Sequence, residues 1–113
     1  MTPETLREFC LSMKSVNESF PFDEDTLVFK VGGKMFVLMS LQERTVNLKC
    51  EPEKAIALRE EFSSVIPGYH MNKKYWNTVL LDGPVPDKLI REWIVESYGL
   101  VVANLPQKLR KSL

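Results

Sequence analysis

The run Gly68-Tyr69-His70-Met71-Asn72-Lys73-Lys74-Tyr75-Trp76-Asn77 places the only histidine of the chain, two adjacent lysines and three aromatics in one short segment. Lysine ammonium groups neutralise phosphates and aromatic faces stack on bases, so these types at this spacing suit a nucleic acid. His70 can donate to a phosphate or change charge near neutral pH. Each residue also has a structural use. Tyr69 and Trp76 suit a core or its rim, Asn72 can bond its own backbone to fix a turn, and Lys73 and Lys74 can be solvated charges. Three more lysines could enlarge a basic surface. Lys30 and Lys34 flank Gly32-Gly33, and Lys49 follows an alternating apolar pattern. Lys30 and Lys49 take the polar places among apolar neighbours and should face away from the core. Whether they meet Lys73 depends on strand order, which the sequence does not supply. Protection of a sheet edge is the competing role for each.

Other chemistries lack their residues. Cys10 and Cys50 stand far apart, in no CxxC pattern, and His70 has no nearby cysteine, so no metal site is expected. Both cysteines read as buried small hydrophobes. No serine sits in a GxSxG context, and Gly32-Gly33-Lys34 is too short for a phosphate loop. Asp23, Glu24 and Asp25 lack the spacing of a calcium loop. No paired carboxylates can be singled out, so the expectation is a non-enzyme with no cofactor.

The elements that must position these side chains follow from periodicity. Thr2-Pro3 opens a helix over residues 3–15, with Leu6, Phe9, Cys10 and Met13 at helical spacing. Leu27–Val31 and Lys34–Ser40 read as strands joined by a tight Gly32-Gly33 hairpin. After a turn near Gln42-Glu43, Val46, Leu48 and Cys50 alternate with Thr45, Asn47 and Lys49 as a third strand. Glu51-Pro52-Glu53 starts a second helix with Ala55, Leu58 and Phe62 on one side. Tyr75–Leu81 reads as a strand, with a short strand or turn before it an open alternative. Pro86-Asp87 opens the longest helix, where Leu89, Ile90, Trp93, Ile94, Ser97 and Tyr98 repeat at helical spacing and Gly99 is placed to end or kink it. A basic tail follows Pro106. The order α-β-β-β-α-β-α predicts an α+β fold with a mainly antiparallel sheet, helices on one face and the other face partly open.

The 113 residues suit a single domain spanning 1–113, large enough to bury roughly 65% of its unfolded surface. Lys plus Arg and Asp plus Glu are 15 each, which excludes strong whole-surface binding of nucleic acid. The balance is a cancellation. Residues 1–66 carry 8 basic and 11 acidic side chains, a net of −3, and residues 67–113 carry 7 and 4, a net of +3. The first eight residues carry charges and no apolar run, and no uncharged stretch approaches the roughly 20 residues of a membrane span. With no disulfide framework, a cytoplasmic location is expected.

Phe20-Pro21-Phe22, the run Val28 to Phe36 (VFKVGGKMF), Asn47-Leu48-Lys49-Cys50, the run Pro67 to Val79 and Ser97-Tyr98 together resemble the MmcQ/YjbR-like family of small bacterial proteins. The likeness runs from about residue 4 to 110, and Tyr69 to Lys74 is its most specific part. It implies an α+β fold grouped with secretion-chaperone-like and CyaY-like folds. It also implies a double-wing DNA-binding arrangement. The first wing would be the Gly32-Gly33 hairpin with Lys30 and Lys34, and the second the segment from His70 to Trp76. Asp23 stands where the family pattern often has Gly, adding negative charge near the first hairpin, and Tyr75 stands where it often has His.

The sequence therefore points to a DNA-binding or regulatory module. Its candidate contacts are Lys30, Lys34, Lys49, His70, Asn72, Lys73, Lys74 and Trp76. The alternative is a protein-interaction module, in which the open sheet holds a peptide or a second copy. A small-molecule site around His70, Asn72 and Trp76 is a third reading. No metal, cofactor or membrane partner is expected.

Overall fold

The computed structural model describes residues 1–68 and 71–113. In chain order its elements are α1 (Pro3–Leu11), β1 (Val16–Ser19), β2 (Thr26–Val31), β3 (Lys34–Ser40), β4 (Thr45–Lys49), α2 (Pro52–Glu61), β5 (Val65–Pro67), β6 (Trp76–Leu80), α3 (Asp87–Ala103) and α4 (Gln107–Ser112). The strands form one antiparallel sheet in the order β1-β2-β3-β4-β6-β5. The chain is thus α+β, with the meander β1–β4 extended by β6 and closed at its far edge by β5.

The sheet starts from its hairpin. Gly32 and Gly33 take φ of 58° and 78°, the left-handed values a two-residue hairpin turn needs. Phe29 pairs with Val37 but Lys30 pairs with Met35, so Phe36 is an extra residue that bulges β3. The bulge lets both Phe36 and Val37 enter the core. Leu27, Phe29, Val31, Met39, Val46, Leu48, Val65 and Val79 line the same face of the sheet. Leu6 and Cys10 of α1 and Ile90, Trp93, Ile94 and Val101 of α3 cover it. Each large apolar side chain buried here contributes about 1.5–3 kcal/mol.

Five elements differ from the sequence reading. α1 stops at Leu11 rather than residue 15, because the Ser12 amide closes the last turn and Ser15 takes a left-handed φ of 62°. β1 and β5 are strands at the two sheet edges. β5 includes Pro67, which an edge tolerates because no ladder bond is needed on its outer side. α3 runs past Gly99, which lies exposed with free space around it, so Gly99 does not end the helix. The basic tail is helical, as α4.

Ser97 and Tyr98 tie α3 to the sheet. The Ser97 hydroxyl donates to the Phe36 carbonyl (2.6 Å) and accepts from the Lys49 amide (2.9 Å). It bridges β3 and β4 where the Phe36 bulge interrupts their ladder. The Tyr98 hydroxyl donates to the Lys14 carbonyl (2.6 Å), and its ring meets Phe36 edge-on at 5.3 Å. Among the described residues, no helix is long and apolar enough to cross a membrane.

Candidate functional site

Strand order answers the question the sequence left open. β2 ends, β3 begins, β4 ends and β6 begins at one end of the sheet. Lys30, Lys34, Lys49, Lys73 and Lys74 therefore gather at that end. They do not all share a face. Lys30 lies opposite Met35, and Lys49 opposite Trp76, on the side away from the helices. Lys34 pairs with Val31, whose side chain faces the core, so Lys34 stands on the helix side at the hairpin tip.

Lys73 and Lys74 project from a well-braced turn. The Asn72 side-chain oxygen accepts from the Lys74 amide (3.0 Å), and the Asn72 carbonyl accepts from the Tyr75 (3.1 Å) and Trp76 (3.0 Å) amides. Arg59 Nη1 of α2 donates to the Lys73 carbonyl (3.0 Å), and the Cys50 amide donates to the Tyr75 carbonyl (2.7 Å). The turn is thus fixed to β4 and α2 while both lysines remain exposed. Lys74 Nζ lies 5.5 Å from the Tyr75 ring centre, close enough for a cation–π contact. Asn72 keeps its turn-fixing role. His70 lies outside the described residues.

Ion pairing leaves these lysines free. Among the described residues, the pairs are Met1 amine–Asp87, Arg7–Glu18, Arg44–Asp82 and Lys54–Glu96, and none involves the five. Sequence reasoning missed two neighbours. Lys14 precedes β1 at the same end of the sheet, where Val16 pairs with Val31. The α4 bases Lys108, Arg110 and Lys111 follow Leu105, whose side chain packs on Gly32. Glu51, next after Cys50, is the carboxylate beside Lys49.

The opposite end of the sheet is acidic. Asp23, Glu24 and Asp25 lie in the β1–β2 loop and Glu43 in the β3–β4 turn, while Asp82 after β6 is paired with Arg44 of that turn. Asp23 accepts from the amides of Asp25 (2.9 Å) and Thr26 (2.6 Å), and these bonds hold its carboxyl below the ordinary aspartate range. Asp25 accepts from Ser40 Oγ and the Gln42 amide, both at 2.7 Å. The −3 and +3 halves of the sequence thus give way to a different separation in space, between the two ends of one sheet.

Between the ends lies the open face. Val28, Leu38 and Trp76 form a small apolar cluster there, with Met35 and Met71 packed on it. Trp76 is only 8% exposed, so its ring belongs to this cluster. A groove of about 570 Å³ runs over it, lined by Phe22, Met35, Leu38 and Met71 and by Thr26, Ser40, Thr45 and Asn47, with Asp23, Asp25 and Glu43 at its acidic end. Asn47 accepts from the Thr78 hydroxyl across β4 and β6. Both cysteines are buried, and burial pushes the Cys10 thiol up to about 12 and raises Cys50 as well. Among the described residues no group of three or more His, Cys, Asp or Glu is placed to hold a metal.

These features define a small α+β protein with helices on one face of a six-stranded antiparallel sheet and a charge-polarised open face on the other. The YjbR family model matches residues 11–100, and the chain belongs to that family. Protein YbdF of Escherichia coli O157:H7 is 36% identical over 110 residues, covering 96% of this chain and 90% of its own. YjbR of E. coli K12 is 36% identical over 115 residues, with coverage of 100% and 98%. The crystal structure of Deinococcus radiodurans protein DR2400, domain DUF419, superposes with a TM-score of 0.92 at 40% identity, covering 98% of this chain and 86% of that one. A Pseudomonas syringae crystal structure gives 0.77 at 27% identity, with coverage of 88% and 98%.

Proposed function

We propose that the chain is a non-enzymatic, cytoplasmic DNA-binding or regulatory module that meets the phosphate backbone with the lysine end of its sheet. The observation that carries this reading is the gathering of Lys30, Lys34, Lys49, Lys73 and Lys74 at one end, none of them in an ion pair among the described residues. An unpaired surface lysine keeps its full charge for a phosphate, and a braced turn costs little entropy to dock. In this reading the Gly32-Gly33 hairpin is one wing and the turn at residues 71–75 belongs to the other, as in a double-wing arrangement of a CyaY-like or secretion-chaperone-like fold. Trp76 supports the platform from below and does not stack on bases. Contacts are to phosphates, so binding is weak, indifferent to sequence and steeply salt-dependent.

Three to five phosphate contacts give a log–log salt slope of about −3 to −4.5. The test is fluorescence anisotropy with a labelled duplex at about 50 mM salt, followed by titration with salt. Lys73→Glu with Lys74→Glu should remove most of the binding while leaving the thermal midpoint nearly unchanged. No measurable binding at low salt, or binding indifferent to the double substitution, sinks the reading.

A second reading has its own observation. The apolar groove of the open face and Phe22, 64% exposed, suit a protein-interaction module, chaperone-like or dimerising, that binds no nucleic acid. A monomer by light scattering, with no protein enriched on the immobilised chain, counts against it.

A further inference from the structure

We propose that the groove on the open face is a binding site for a small organic cation, an amine or guanidine carrying an apolar body of about phenyl to indole size. It is separate from the lysine end and goes beyond the DNA reading. Three independent observations carry it.

The first is shape and lining. A groove of about 570 Å³ falls within the roughly 300–1,000 Å³ of small-molecule sites. Its apolar walls are Phe22, Met35, Leu38 and Met71. Two of these four are methionines, whose flexible thioethers adapt to flat apolar bodies.

The second is an unused polar group in its floor. Thr45 is 8% exposed and lies on the open face, opposite Ser40 on β3 and Leu80 on β6. No hydrogen bond engages its Oγ1 among the described residues, although a threonine hydroxyl can both donate and accept. Ser64 Oγ is the buried side-chain atom without a partner among the described residues, so the Thr45 hydroxyl is not sealed in: it opens onto the groove, where water or a ligand can bond it. Its neighbours do not share this vacancy. Ser40 Oγ donates to Asp25, and the Asn47 oxygen accepts from Thr78.

The third is charge. Asp23, Asp25 and Glu43 line one end of the groove, and among the described residues no lysine or arginine lines it. Asp25 and Asp23 are oriented by the hydrogen bonds described above, so their charge is fixed in place at no cost on binding. An anion or a phosphate is repelled from this groove. A cation with an apolar body seats its head between Glu43 and Asp25, bonds Thr45 Oγ1 and lays its body on Leu38 and the methionines.

The test uses three probes of one shape: 2-phenylethylamine, 2-phenylethanol and phenylacetate. Each is titrated into the isotope-labelled full chain while backbone amide shifts are followed. The amine should shift Leu38, Ser40, Thr45 and Asn47 saturably, with a dissociation constant on the order of 1 mM for so small a probe. The alcohol should bind at least about fivefold more weakly, and phenylacetate not at all. Thr45→Val, which keeps the shape and removes the hydroxyl, should weaken the amine about five- to tenfold. Glu43→Gln, in an exposed turn that tolerates it, should lower the preference for amine over alcohol about threefold. The Lys73→Glu, Lys74→Glu variant should bind the amine as the parent does, which separates this site from the DNA reading. The proposal is overturned by equal shifts from all three probes, by no shift of these amides, by shifts confined to the lysine end, or by indifference to both Thr45→Val and Glu43→Gln. A site occupied only by a basic peptide, with no response to the amine, also overturns it.

Discussion

Replacing Ser97 by alanine should remove a bond that the fold cannot remake. Its hydroxyl holds the Phe36 carbonyl at 2.6 Å and the Lys49 amide at 2.9 Å, at the point where the β3 bulge prevents those strands from pairing directly. The Ser97 side chain is fully buried, so water cannot easily take its place. Each main-chain group left unsatisfied costs about 1–3 kcal/mol, and partial relaxation brings the sum for both to about 2–4 kcal/mol. For a domain of this size that corresponds to a fall in Tm of about 8–16 °C. Urea unfolding should show the midpoint lowered with an unchanged slope, since the surface exposed on unfolding does not change. Exchange of the Lys49 amide should accelerate more than that of Leu48. Ser64 supplies the internal control. It too is buried, but its Oγ has no hydrogen-bond partner among the described residues, so Ser64→Ala should be neutral or stabilising by up to about 1 kcal/mol. If Ser97→Ala costs less than about 0.5 kcal/mol, or no more than Ser64→Ala, the bridge is not holding the sheet and the reasoning fails.

Gly68→Ala would place a methyl 2.7 Å from Trp76 Cβ and 2.9 Å from its carbonyl oxygen, so it should destabilise by about 1–3 kcal/mol and loosen the β5–β6 pairing, read by urea unfolding and exchange of the Gly68-position amide. With its pKa pushed to about 12, the Cys10 thiol is a thiolate in about one molecule in 10⁴ at pH 8, so a thiol reagent should leave it unmodified in the folded chain and label both cysteines in urea; fast native labelling would contradict its burial. Asp23 has a folded pKa below its unfolded one, so its contribution is present above the unfolded value and is lost as pH falls through the folded value. The Asp25 and Thr26 amides should therefore titrate with a midpoint below about 3.9, and a midpoint above that refutes the loop geometry.

The parts of the fold with a local cause were legible in the sequence. Gly32-Gly33 specified the hairpin because left-handed backbone demands residues of that kind. The spacing of Ile90, Trp93, Ile94 and Ser97 specified the buried stripe of α3. The edge strands were not legible, since Val16–Ser19 is short and polar and Val65–Pro67 contains a proline; both exist because a neighbouring strand supplies their partners. The placement of β6 beside β4 is likewise tertiary, and with it the meeting of Lys49 with the Lys73-Lys74 turn. Trp76 looked like a stacking surface because its neighbours are lysines, whereas its place under Met35 and Met71 is set by strands distant in sequence. The acidic groove escaped notice for the same reason: Asp23, Glu43 and Thr45 converge only once β2, β3 and β4 are paired.

What the fold itself consumes separates the polar residues of the family-like segments into two kinds. Ser97 repairs the bulge, Tyr98 anchors the chain before β1, and Asn72 shapes the lysine turn. Asn77 donates to the Ala55 carbonyl (3.2 Å) and so fastens α2 to β6, while Asn47 ties β4 to Thr78. All of these have a structural duty sufficient to explain their type. Lys30, Lys34, Lys49, Lys73 and Lys74 have none that the hydrogen bonds and ion pairs reveal, nor does the hydroxyl of Thr45. Folding tolerates groups without partners when they face water, as the lysines do and as the Thr45 hydroxyl does at the floor of the groove. Packing alone would accept valine at position 45 equally well, since it keeps the β-branched shape. A hydroxyl that no strand or helix uses, set in the floor of a groove that joins apolar walls to fixed carboxylates, is where a ligand would find its polar contact.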